Sequence, residues 1–92
     1  MYYIYILKCY NNSFYVGYTC NLTRRMKEHN TRHGGTYTKI RIPVELLYQE
    51  SFESESLARR REKQIKGWSR KKKQALIEGD KERLISLSKS NS

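Results

Sequence analysis

Two aromatic, β-branched runs constrain the fold most: "YYIYILKC" (Tyr2 to Cys9) and "FYVGYT" (Phe14 to Thr19), separated only by "YNNS". Tyr, Ile and Val at this density favour extended backbone, because branched and aromatic side chains pack well on a pleated surface. Asn11 and Asn12 tolerate the positive φ that a tight turn demands. Strands joined this closely pair antiparallel, so a hairpin opens the fold.

The rest of the chain divides by caps and breakers. Asn21 is suited to cap a short helix, "LTRRMKEH" (Leu22 to His29). "NTRHGGTYTKIR" (Asn30 to Arg41) has Gly34-Gly35 and no clear period, and reads as a loop. Pro43 introduces a third strand, Val44 to Phe52. Ser54 or Ser56 caps a helix through "LARRREKQIK", ended by Gly67; Ser69 caps "RKKKQALIE" and Asp80 caps "KERLISLS". "KSNS" reads as a disordered tail. The expected fold is α+β, in the order ββαβααα, with a small three-stranded antiparallel sheet packed against helices. Residues 1–88 form one domain, with 89–92 as the tail and no internal repeat or linker.

At 92 residues such a domain buries only a modest core, and its 8 Tyr can serve both core and site. The 19 Lys and Arg against 9 acids give a net charge of +10, which attracts polyanions, nucleic acid foremost. An anionic membrane surface would require an amphipathic anchor or lipidation signal, and neither is found. No apolar run is long enough to span a bilayer or act as a signal peptide, so the expected location is cytoplasmic. Cys9 and Cys20 then read as free thiols. Zinc among Cys9, Cys20, His29 and His33 is disfavoured, since no C-x-x-C pair is present.

Helical projection sharpens the two central helices. At about 100° per residue, Leu22 and Met26 define the apolar stripe of the first. Arg25 and His29 fall beside that stripe, tilted toward the sheet, whereas Arg24, Lys27 and Glu28 point away. Two readings stand: Arg25 pairs with a carboxylate while His29 packs as an aromatic, or both line a site. In the helix after Ser56, Leu57, Ala58, Ile65 and Trp68 share a stripe with Glu62 on its shoulder. Arg59, Arg60, Lys63 and Lys66 lie on the outer face. Glu62 either pairs with Lys66 on the surface or faces a site. Arg61 projects near the middle of the apolar stripe, where its stem can snorkel. Gly17, without a Cβ, admits close approach of a phosphate or a backbone, or marks a bulge.

"YIY" (Tyr3 to Tyr5), "YVG" (Tyr15 to Gly17), Arg25 and Glu62, in that order, resemble the GIY-YIG nuclease superfamily. That superfamily includes catalytic domains of certain homing endonucleases and the incision subunit of bacterial nucleotide excision repair. Small stand-alone members show the greatest likeness, extending through "RREKQIKGWSRKKKQALIEGD" along nearly the whole chain. The resemblance implies the GIY-YIG fold and a metal-dependent endonuclease acting on DNA, with flaps, nicks or single strands as possible forms. It implies Tyr15 as general base, Tyr5 assisting it, Arg25 steadying charge on the phosphate, and Glu62 holding one weakly bound Mg²⁺ or Mn²⁺.

A free Tyr has a pKa near 10, so a phenol is a poor base unless Arg25 and the cation favour phenolate. His29 stands where some members carry tyrosine, and its ordinary pKa suits the base role better. The choice among Tyr5, Tyr15 and His29 therefore stays open. Tyr3 replaces the glycine that opens the family name, and Tyr18 stands where some repair members have lysine. Gly17, Tyr18, Arg24, Tyr37, Thr38, Arg60, Lys63, Lys66, Lys71 and Lys72 are the expected nucleic-acid contacts, Tyr37 and Thr38 through the likeness of "GGTYT" to a family loop. The alternative is a basic nucleic-acid-binding module with weak or no catalysis, using "RRREKQIKGWSRKKK" to track phosphates. A scaffold in which Tyr15, Arg25 and Glu62 merely join sheet to helices is a third.

Overall fold

The structure, a computed structural model, describes residues 1–30 and 43–90, with the side chains of 89 and 90 left aside. Strands β1 (Tyr2–Cys9) and β2 (Phe14–Thr19) form the expected hairpin, in register Tyr3 opposite Thr19 through Lys8 opposite Phe14. Asn12 turns the chain at φ 67°, and its N–H donates to the Cys9 carbonyl at 2.8 Å. Strand β3 (Val44–Phe52) pairs antiparallel with the other side of β1, giving the order β2-β1-β3. The two edges of the sheet are thus β2 and β3.

Helix α1 (Leu22–Asn30) starts on an Asn21 cap, whose Oδ1 accepts from the Arg24 N–H at 3.0 Å. It runs one residue past its expected end, and Asn30 Oδ1 accepts from the Val44 N–H at 2.8 Å. That bond ties the end of α1 to the start of β3.

Sheet alternation assigns each helix to a face. Tyr5, Leu7 and Cys9 with Val44 face α1 and pack with Tyr15, Leu22 and Met26. Ile4, Ile6 and Val16 face the other way, against Ala58 and Ile65 of α2 (Glu55–Lys66) and partly buried Leu76 and Ile77 of α3 (Arg70–Glu78). Ile4, Tyr5, Ile6 and Leu7 are therefore all at most 1% exposed, the pattern of a central strand covered on both faces. Helix α4 (Lys81–Ser90) packs on α3. Between them Gly79 takes φ 72°, with the Gly79 and Asp80 N–H groups donating to the Leu76 and Ala75 carbonyls.

Of the two cap candidates, Ser54 caps α2, accepting from the Leu57 N–H at 3.2 Å. Two expectations change. Leu57 is 48% exposed, because it lies a quarter-turn from Ala58 and the buried stripe drifts toward Arg61 and Glu62. Helical backbone continues to Ser90, two residues beyond Ser88, whose Oγ donates to the Leu84 carbonyl.

Arg61 enters the stripe because a partner waits on β3. Its Nε and Nη2 each donate to Glu50 at 3.1 Å, Nη1 donates to Gln64, and the guanidinium lies over Trp68. Tyr48 donates to the same carboxylate. Arg61 is a strap from helix to sheet rather than a snorkelling surface cation.

Candidate active site

The site begins with the hairpin register. Tyr5 stands directly opposite Gly17, and its ring lies across that glycine. A Cβ at Gly17 would sit 2.5 Å from the Tyr5 hydroxyl oxygen and 3.1 Å from the Tyr15 ring. Gly17 therefore makes room for the phenols, and the close approach its missing Cβ permits is by Tyr5.

Helix α1 closes over the same face. The Tyr5 hydroxyl and His29 Nε2 are 3.0 Å apart in a buried hydrogen bond. The Tyr15 and His29 rings meet edge-on with centroids 5.3 Å apart, and Tyr5 and Tyr15 are 6.3 Å apart. Arg25, one turn before His29, reaches the Tyr5 hydroxyl with its charge, and its Nη1 donates to Glu28 at 3.2 Å. Arg25 thus has a carboxylate partner and also faces the Tyr5 phenol. Glu28, expected to point away, turns back to supply that partner.

Burial sets the protonation states. His29 is fully buried, and burial together with the nearby Arg25 charge lowers its pKa to about 4, against a smaller opposing pull from Glu28. Burial pushes Tyr5 up to about 12; Tyr15 and Glu62 add to this while Arg25 opposes it. At neutral pH His29 is neutral and Tyr5 keeps its proton.

Glu62 arrives from α2, on the opposite face of the sheet. Its side chain is only 13% exposed, and Oε1 pairs with the Lys66 ammonium at 2.8 Å. Its charge reaches the Tyr5 hydroxyl, while Lys66 is held charged first by Glu62 and also by Tyr15. The phenols and imidazole lie on one face of the sheet beside β2, the edge strand, and the helix that carries Glu62 packs on the other. Outward from Glu62 runs an open groove lined by Ser56, Arg59, Arg60, Lys63 and Lys66.

The remaining expected contacts are dispersed. Tyr18 packs against the α2 face, away from Tyr5. Arg24 and Lys71 are exposed, on α1 and α3. The Lys72 ammonium sits over the Trp68 ring, 4.7 Å from its centroid, outside the groove. Tyr37, Thr38 and His33 lie outside the described residues. Arg59, expected on the outer face but not among the individual nucleic-acid contacts, joins the groove wall. Among the described residues no three His, Cys, Asp or Glu side chains stand together. A divalent ion placed at Glu62 would find one carboxylate, a donor that suits a hard cation if water and substrate oxygens completed its shell. No helix among the described residues is long and apolar enough to cross a membrane.

The GIY-YIG catalytic domain model matches residues 1–75. A UPF0213 protein of Staphylococcus haemolyticus is 53% identical over 76 residues, 83% of this chain and 93% of that protein. One from Natronomonas pharaonis is 47% identical over 75 residues, 82% of this chain and 88% of its own. The solution NMR structure of a UPF0213 protein from Bacillus halodurans matches with TM-score 0.57 and 40% identity, covering 87% of this chain and 86% of that one. A solution NMR structure of a protein from E. faecalis matches with TM-score 0.59 and 39% identity, covering 85% and 83%. With its three-stranded sheet, its helices and its ordered tyrosine, arginine and glutamate positions, the chain belongs to the GIY-YIG family of nuclease domains.

Proposed function

We propose that this domain is a metal-dependent endonuclease that hydrolyses phosphodiester bonds in DNA. The observation that carries the reading is the convergence of Tyr5, Tyr15, Arg25 and His29 on one face of β2, within electrostatic reach of Glu62. Hydrolysis forms a bond from a water oxygen to phosphorus and breaks the bond to the leaving oxygen. It needs a proton acceptor and positive charge at the phosphoryl oxygens.

Tyr15 is assigned the water. Tyr5 holds its proton up to about pH 12, and His29 is fully buried with Nε2 against the Tyr5 hydroxyl. Tyr15 is only half-buried, so substrate and water can reach it. His29 and Tyr5 fix each other, and through ring contacts they fix Tyr15; His29 is thus a positioning residue. Arg25 supplies charge beside both phenols. Glu62 would hold a Mg²⁺ or Mn²⁺ ion, whose chemistry when bound is charge neutralisation at the phosphate. Arg60, Lys63 and Lys66 of the groove receive flanking phosphates.

The binding-module reading rests on that groove alone, which is basic whether or not cleavage occurs. Labelled single-stranded, nicked and flap DNA, incubated with Mg²⁺ or Mn²⁺, separates the two. Cleavage lost in Arg25→Ala and Glu62→Gln supports the nuclease, whereas tight, salt-sensitive binding without cleavage supports the module. Cleavage persisting equally in both variants overturns the assigned site.

A further inference from the structure

Lys66 and Glu62 form an ion pair whose two ends differ. The carboxylate end is held inside the protein, its side chain 13% exposed, while the ammonium end is 55% exposed. Lys66 also lines the basic groove with Arg59, Arg60 and Lys63, and stands within electrostatic reach of Tyr15. The exposed partner of the pair is therefore the one that an entering phosphate meets.

A divalent ion and an ammonium compete for the same carboxylate oxygens. Mg²⁺ and Mn²⁺ bind through carboxylate oxygen at short range, and a lone carboxylate offers little room for a second cation beside it. Their mutual repulsion is poorly screened where the carboxylate is mostly removed from water.

We propose that Lys66 guards Glu62: its ammonium occupies the carboxylate in the resting protein, and a substrate phosphate draws it away, opening Glu62 to the divalent ion. This rests on the reading of Glu62 as the metal carboxylate. Phosphate and metal then bind cooperatively, each raising the affinity of the other by the same factor. Metal is recruited chiefly when a phosphodiester already lies in the groove.

The test reads metal binding directly, without turnover. Mn²⁺ affinity is measured by electron paramagnetic resonance on the full chain, as wild type, Lys66→Gln, Lys63→Gln, Glu62→Gln and Lys66→Gln/Glu62→Gln. Each is measured with and without a nuclease-resistant phosphorothioate single strand, after circular dichroism confirms the fold. Without the strand, Lys66→Gln is expected to tighten Mn²⁺ on the order of tenfold, and Lys63→Gln, which removes a neighbouring groove cation not paired with Glu62, to tighten it by clearly less. The single strand is expected to tighten Mn²⁺ by a larger factor in wild type than in Lys66→Gln, where only the phosphate's own ligation of the ion remains. Unchanged affinity in Lys66→Gln, or an equal gain in Lys63→Gln, overturns the guard. If Mn²⁺ binds Glu62→Gln and the double variant as tightly as wild type, Glu62 is not the ligand, and the underlying reading fails with it.

Discussion

The Tyr5 hydroxyl lies 3.0 Å from His29 Nε2, joining the central strand to helix α1 inside the protein. Because His29 has a pKa near 4 when folded and near 6.5 when unfolded, the unfolded chain binds the extra proton between those values. Stability should be greatest above pH 6.5 and fall as pH drops toward 4, by up to about 3 kcal/mol from this group. Urea unfolding across that range checks it, with His29→Gln expected to flatten the slope.

Gly17→Ala puts a methyl where the Tyr5 hydroxyl lies, and that hydroxyl is held by a buried hydrogen bond. The ring must move, so the variant should lose about 1–3 kcal/mol of stability. DNA cleavage should fall as well, since Tyr15 loses its support. Denaturant unfolding paired with a cleavage assay reads both effects.

Arg61→Met should be destabilising without harming the site. It leaves the Glu50 carboxylate, with a 22% exposed side chain, without its bidentate partner, at a cost of about 1–3 kcal/mol. Cleavage at low temperature, where the variant stays folded, should remain at the wild-type rate. Loss of cleavage by fully folded protein would show that Arg61 belongs to the machinery.

Groove cations should contribute to DNA affinity without regard to sequence. Arg60→Ala and Lys63→Ala should each reduce the slope of log affinity against log salt by about 1. Fluorescence anisotropy with two unrelated oligonucleotides at several salt concentrations measures this. An unchanged slope would move the phosphate track elsewhere.

The elements that depend on neighbouring residues were readable in the sequence: the hairpin turn at Asn12, the Asn21 cap and the strand limits. Helical projection also turned Arg25 and His29 inward correctly, because α1 is short and its stripe is fixed by Leu22 and Met26. Arg61 was not readable, since its partner Glu50 lies on β3 and only the third strand brings them together. The role of Gly17 was within reach: a turn centred on Asn11 sets Tyr5 opposite Gly17. What no local pattern could supply is that Glu62 comes from the far face of the sheet, with its helix flanking the edge strand.

The central claim is that these residues form one hydrolytic site, and single-turnover cleavage beside DNA affinity for Glu62→Gln tests it most directly. The expected result is a rate reduced on the order of 10²–10³-fold with DNA affinity close to wild type. A wild-type rate in Glu62→Gln would contradict the account.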